Sequence, residues 1–211
     1  MEGLAGIVVA GGKSRRLGQD KRRLRLWGDS GPTLLEHTVN LIAPFCSETL
    51  VVLNDGDDWP QLAARRVPDL IDDAGALGGI YSGLSACQAE YAFVVAADMP
   101  LLQSELIELL LAQPRDYQAL VPRAQQQGST RNRFDLEPLL AIYARSALPV
   151  MSALLDAGER RISDLFAKLQ TRIVEPEVWS KVDPTGRSFR NINRPEDLAL
   201  VQAELAKASS L

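Results

Sequence analysis

The chain is poor in the residues that carry covalent and transition-metal chemistry. Of its 211 residues, two are cysteine and one is histidine. Cys46 and Cys87 lie far apart and outside any Cys-x-x-Cys pair, so neither a disulfide framework nor a cysteine zinc site is indicated. They read as buried free thiols of a reducing compartment. His37 cannot form a metal cluster alone, and without a Gly-x-Ser-x-Gly elbow it has no hydrolase triad to serve. No apolar run reaches the ~18 residues of a membrane span. The opening Met1-Glu2-Gly3 lacks a basic and apolar leader pattern, so a cytoplasmic location is expected. Nor is there an excess of positive charge. A formal net charge of -4 argues against a nucleic-acid-coating surface.

What is present is an ordinary globular composition, 46% hydrophobic and 24% charged, enough for a sizeable core. No repeat and no Pro/Gly/Ser-rich linker divides the chain, so one domain over 1–211 is expected. Strand-like segments at Ile7–Ala10, Thr49–Leu53, Val67–Ile71 and Tyr91–Ala97 alternate with helix-like ones at Thr33–Ala43, Ile80–Ala89 and Gln103–Leu111. Pro60–Arg66 reads as a short helix, and Gly75, Gly78 and Gly79 as a flexible loop. The second half reads as strands at Ala119–Val121, Leu139–Tyr143, Thr171–Val174 and Phe189–Ile192. Its helices are expected at Leu148–Asp156, Ile162–Leu169 and from Pro195 to about Ala206. This alternation predicts an α/β fold, a three-layer α/β/α arrangement around a Rossmann-like, mostly parallel sheet. Ligands of such sheets bind beyond the C-terminal ends of the strands. Gly11 and Gly12, Asn54, Asp73 and Asp98 all fall there.

The richest stretch is residues 7–21, Ile-Val-Val-Ala-Gly-Gly-Lys-Ser-Arg-Arg-Leu-Gly-Gln-Asp-Lys. A buried strand stops at Gly11-Gly12. From Lys13 to Arg25 there follow seven Lys or Arg residues against one acid, Asp20. Glycines let backbone N–H groups close around an anion, and fixed cations add charge-assisted bonds, so a triphosphate suits this loop. The plainer alternative is a turn followed by a solvated basic helix start. Neither Gly-x-x-x-x-Gly-Lys-Ser/Thr nor Gly-x-Gly-x-x-Gly is present. Asp98 follows a small and apolar strand and precedes Met99-Pro100. A carboxylate at such a lip is costly unless it meets a cation, and hard oxygen ligands suit Mg²⁺. A helix cap or a structural salt bridge is the alternative.

Val9-Ala10-Gly11-Gly12, Arg16-Leu17-Gly18 and Asp20-Lys21 resemble the signature Leu-Ala-Gly-Gly-x-x-x-Arg-Met-Gly-x-Asp-Lys of the molybdenum cofactor guanylyltransferase family. Asp98-Met99-Pro100 resembles its Asp-x-Pro motif, and Asn191-Ile192-Asn193-Arg194-Pro195-Glu196-Asp197-Leu198 its Asn-x-Asn-x-Pro-Glu-Asp/Glu-Leu pattern. The resemblance implies a nucleotide-diphospho-sugar transferase type of sheet, with a nucleotide-binding half over about 1–112 and an acceptor-binding half over about 113–211. It implies nucleotide contacts at Val9, Ala10, Gly11, Gly12, Lys21, Asn54, Asp73 (Asp72 being the near alternative) and Asp98. Magnesium would fall on Asp98 with Asn193, although Asn193 could instead cap the last helix. Lys21, Asp98 and Arg16 would serve catalysis. Asn191 and Arg161, with Arg131 and Arg133, would face the acceptor unless they are ordinary surface residues. The loop Gly75-Ala76-Leu77-Gly78-Gly79 departs from the family's Gly-Pro-Leu-x-Gly at Ala76.

The implied reaction is Mg²⁺-dependent transfer of GMP from GTP to the phosphate of molybdopterin, with molybdoenzymes or cofactor-assembly proteins as further partners and no nucleic acid or membrane. Ala10-Gly11-Gly12, where CTP-using relatives tend to show Ala-Ala-Gly, favours GTP. The alternatives are a cytidylyltransferase or sugar-phosphate nucleotidyltransferase of the same fold, and a non-catalytic nucleotide-binding module. An already ionised phosphate nucleophile needs no general base, which agrees with the shortage of His and Cys.

Overall fold

A computed structural model describes residues 3–11, 17–54, 59, 62–125 and 134–208, with 125, 134 and 208 described by backbone alone. The first half runs β1 (Leu4–Val9), α1 (Leu34–Ile42), β2 (Glu48–Val52), β3 (Arg65–Val67), α2 (Gly75–Ala86), β4 (Tyr91–Ala96) and α3 (Ser104–Leu111). The second runs β5 (Ala119–Gln125), β6 (Phe134–Leu136), β7 (Leu140–Ala144), α4 (Leu148–Asp156), α5 (Ser163–Phe166), β8 (Thr171–Val174), α6 (Pro176–Trp179) and α7 (Pro195–Ala208). One eight-stranded sheet has the order β3-β2-β1-β4-β7-β5-β6, with β8 on β5.

The half that bears the site is parallel throughout, with β3 on β2, β2 on β1 and β1 on β4. β7 runs antiparallel to both β4 and β5. The sheet is thus mixed and mostly parallel at its centre, with helices on both sides. Alternation along β1 shows why both faces are covered. Leu4 and Val8 join one apolar cluster with Leu35, Val39 and Leu106. Ala5, Ile7 and Val9 join the other, with Leu77, Ile80, Leu84 and Met151. A strand buried on both faces reads as a continuous apolar run, as this one does.

Local signals explain several boundaries. Thr33 and Glu36 form a reciprocal capping box at the start of α1, and the helix stops before Pro44. Ser104 lies inside α3, whose N-cap is Gln103 and carries no side-chain cap bond. Three expectations fail. Arg65 and Arg66 lie in β3, not in a helix, and β3 ends at Val67 where the sequence suggested it would begin. Phe189–Ile192 forms no strand; Arg187–Phe189 is a single 3-10 turn. The glycines at 75, 78 and 79 belong to α2. Gly79 and Gly83 lie on one face of that helix, and their lack of Cβ lets it press on β1. A Cβ at Gly79 would come within 2.7 Å of Val9 Cγ1, and one at Gly83 within 2.5 Å of Ile7 Cγ2.

A third apolar cluster of Leu34, Leu101, Ile192 and Val201, with Leu24, Trp27 and Leu198 against it, joins the start of α1, the approach to α3 and α7. It anchors the two polar segments around Lys21 and Asn193. Trp27 stacks on His37 with ring centroids 3.8 Å apart, which gives the lone histidine a structural place.

Candidate active site

The parallel ladder continues one residue past the strands. Ala10 N–H donates to Val52 O (3.1 Å), Leu53 N–H to Val67 O (2.9 Å) and Ala97 N–H to Val9 O (3.2 Å). These bonds bring four chain-distant positions, Gly11, Asn54, Asp69 and Asp98, to one edge. A cavity of about 1200 Å³ opens there, with Val9, Ala10 and Gly11 as its floor and Asn54, Asp69 and Asp73 on one wall. Lys21, Arg22, Asp98 and Leu139 lie on the other side. Gly12 and Arg16, and likewise Arg131 and Arg133, fall outside the described residues.

The cationic wall is held from below. Asp20 caps a 3-10 turn over Lys21–Arg23 and accepts from the Arg22 main chain at 3.0 Å. The Arg22 guanidinium also grips Asp20 at 2.8 and 2.6 Å, and that bond holds the Asp20 carboxyl below its ordinary range. Arg23 lies 4.4 Å over the buried Trp59 ring.

Lys21 makes the central contact of the site. Its ammonium is in a close ion pair with Asp98, 77 residues away. The same ammonium donates to Asn193 Oδ1 at 3.2 Å and to the Ile192 carbonyl at 3.4 Å. Asp98 is fixed in turn, because Ile192 N–H donates to its carbonyl at 3.0 Å. The last helix is capped by Asp197, which accepts from the main-chain N–H groups of Asn193 (2.9 Å) and Arg194 (2.8 Å). The Asn193 side chain is thereby left to face Lys21. Asn191 is half-buried beside this cluster, and its Oδ1 has no hydrogen-bond partner. Arg161 stands apart, exposed, in a 3.5 Å pair with Asp164.

These residues fit a hard divalent cation. The ammonium already sits among a carboxylate oxygen, an amide oxygen and a carbonyl oxygen, the donor types that Mg²⁺ takes. Among the described residues no cluster of three His, Cys, Asp or Glu offers an all-carboxylate or thiolate cage. A site with one carboxylate leaves room for phosphate oxygens.

Two further candidates stand out in the structure. Asp69 shares reciprocal bonds with Asn54, which donates Nδ2 to Asp69 Oδ2 at 3.0 Å and accepts from Asp69 N–H at 2.6 Å. Burial first, and the Asp72 charge second, push the Asp69 carboxyl up. The missed signal was the end of β3. With that strand placed over 65–67, Asp69 occupies the strand-end position that Asp98 occupies after β4. Asp73 lies on the cavity rim, exposed, with a left-handed φ of 52°. The second candidate is Glu137. Burial first, and the Asp98 charge second, push its carboxyl up to about 7, against a hydrogen bond from Leu139 N–H.

Residues 6–173 match the MobA-like NTP transferase domain. The chain is 49% identical over 202 residues to a probable molybdenum cofactor guanylyltransferase of Chloroflexus aggregans, covering 96% of this chain and 95% of that one. It is 31% identical to the molybdenum cofactor guanylyltransferase of Desulfosudis oleivorans, covering 97% of each. The crystal structure of molybdopterin-guanine dinucleotide biosynthesis protein A from Archaeoglobus fulgidus superposes with a TM-score of 0.79 at 28% identity, covering 97% of this chain and all of that one. With the cavity, the Lys21–Asp98 cluster and this likeness along nearly its whole length, the chain belongs to the family of MobA-like nucleotidyltransferases.

Proposed function

We propose that this protein transfers GMP from GTP to the phosphate of molybdopterin, forming molybdopterin guanine dinucleotide and pyrophosphate. The observation that carries the reading is the meeting of Lys21, Asp98 and Asn193 at the mouth of the glycine-floored cavity. The relatives' names supply the substrates. In the reaction, an acceptor phosphate oxygen attacks the α-phosphorus of GTP, the bond to the β-phosphate breaks, and pyrophosphate leaves with both electrons of that bond.

The chain's part is positioning and charge neutralisation. Gly11 and the neighbouring main chain admit the nucleotide close to β1. Asn54 and Asp69 meet the base. A carboxylate accepts from the paired N1–H and 2-amino donors of guanine, a pair that cytosine, adenine and uracil do not present. Asp73 stands at the rim of the same pocket. Lys21, with Arg16, neutralises charge on the departing pyrophosphate. Asp98 and Asn193 would hold Mg²⁺, which would supply further neutralisation of the phosphate oxygens. Asn191 and Arg161 belong to the acceptor side. Residues up to about 112 serve the nucleotide and those from about 113 the acceptor, with Asn193 returning to complete the metal site. The protein acts in the cytoplasm on this proposal, and its product goes to molybdoenzymes. Among the described residues, no helix is long and apolar enough to cross a membrane.

Thermal unfolding with Mg²⁺ and each of GTP, CTP, ATP and UTP tests the nucleotide. A ligand at ~100 times its dissociation constant adds about 2.7 kcal/mol, or roughly 5–10 °C for a chain of this size. The shift is expected with GTP and lost in Asp98→Ala. Turnover with molybdopterin should fall on the order of 10²–10³ in Lys21→Ala and in Asp98→Ala, both still folded. A shift with CTP in place of GTP, or near-normal turnover by Asp98→Ala, would overturn the reading.

A further inference from the structure

One contact does not follow from the reaction. Asp98 would hold the metal, yet its carboxylate already holds the Lys21 ammonium. A divalent ion on the same carboxylate would lie a few ångströms from that ammonium, and the two like charges would repel there. The other oxygens around that ammonium, Asn193 Oδ1 and the Ile192 carbonyl, are the groups that would complete a metal shell there. We propose that Lys21 fills the divalent cation's place in the nucleotide-free protein and vacates it only when a triphosphate draws the ammonium onto its own oxygens, so that metal and nucleotide load together. The proposal rests on the assignment of Asp98 as the metal ligand.

The two partners differ in how firmly they are held. Asp98 is locked at the end of a central strand by the bond from Ile192 N–H and by the ladder through Ala97. Asn193 and Ile192 are locked by the cap on Asp197 and by burial of Ile192 in the third apolar cluster. Lys21 reaches the carboxylate from a short turn at the cavity lip, on a flexible four-carbon stem. Its neighbours on that turn have other attachments, Arg22 to Asp20 and Arg23 to Trp59. The oxygen set therefore stays in place while the lysine moves. An ammonium brings one positive charge and needs no dehydration of a divalent ion, so it neutralises Asp98 in the free protein. A triphosphate offers it more negative charge than one carboxylate does, and a metal arriving with that triphosphate takes the vacated oxygens.

Mn²⁺ serves as the probe, its binding read by loss of the free-ion electron paramagnetic resonance signal, without nucleotide. Lys21→Met and Lys21→Gln remove the competing charge and should bind Mn²⁺ at least about tenfold more tightly than the unsubstituted protein. Adding Asp98→Asn to Lys21→Met should abolish the gain. Equal Mn²⁺ affinity in the unsubstituted protein and both Lys21 variants overturns the exchange, as does a gain that survives Asp98→Asn. A second titration, with GTP present, separates this from the metal assignment. There Asp98→Asn alone should weaken Mn²⁺ binding to the protein–GTP complex. If it does not, the metal assignment fails. If it does while the Lys21 variants show no gain, only the exchange fails. Thermal midpoints of each variant check that the fold is kept.

Discussion

Asp69 and Asp73 compete for the same role, and a pair of substitutions separates them. Asp69→Ala removes the carboxylate but keeps the Asp69 N–H bond to Asn54 Oδ1, since that donor is main chain. Asp73→Asn removes only a charge, because asparagine tolerates the left-handed backbone at φ 52° that alanine would strain. A hydrogen bond to a charged group contributes about 1.5–3 kcal/mol. At about 1.4 kcal/mol per tenfold, Asp69→Ala should raise the dissociation constant of Mg²⁺·GTP about 10- to 150-fold. Asp73 is exposed, where charge interactions contribute about 0.2–1 kcal/mol, so Asp73→Asn should cost less than about fivefold. Isothermal titration calorimetry measures both, with ATP as a second ligand. Asp69→Ala should also narrow the preference for GTP over ATP. The reasoning is refuted if Asp69→Ala binds GTP normally while Asp73→Asn loses more than tenfold.

Two further outcomes follow from burial. Glu137 titrates near 7 in the folded protein against an ordinary 4.5, so the folded state binds this proton more tightly than the unfolded chain does. Its ionisation therefore costs no stability below about pH 4.5, costs progressively more up to pH 7, and costs a steady amount of about 3 kcal/mol above that. Glu137→Gln should raise the Tm relative to the unsubstituted protein by several degrees more at pH 8 than at pH 5; a constant difference would show that the carboxyl is not desolvated. Gly83→Ala places a Cβ 2.5 Å from Ile7 Cγ2 in the fully buried centre of the sheet. Overpacking of about 1–3 kcal/mol outweighs the about 1 kcal/mol helix gain, and the Tm should fall by a few degrees. A higher Tm would mean that α2 can lift from β1 without loss.

Much of the candidate site is legible in the sequence because its parts sit at strand ends. Gly11, Asn54 and Asp98 each follow an apolar run, and one rule about parallel sheets gathers them. Asp69 was hidden because three residues of β3 are too few for periodicity to place. An expected strand end at Ile71, four residues beyond the observed Val67, then moved attention to Asp73. The glycines of α2 misled for a related reason. Low helix propensity suggested a loop, yet Gly75, Gly79 and Gly83 recur at i, i+4, the spacing of one helix face, and close approach to Val9 and Ile7 outweighs propensity. The antiparallel course of β7 left no local mark, since an apolar pentapeptide is equally suited to either direction.

The class of fold, the glycine-ended basic segment, the aspartate after β4 and the Asn-x-Asn before the last helix are all readable from residues alone. Each is a local pattern of residue type and spacing, set by backbone sterics, burial and charge. Which of these meet is set by long-range packing. Lys21 reaches Asp98 across 77 residues and Asn193 across 172. Those distances close because Val201 of α7 and Ile192, just before that helix, pack against Leu34 and Leu101. A contact of that kind depends on the packing of apolar surfaces far from the charges themselves, and no window of sequence contains it.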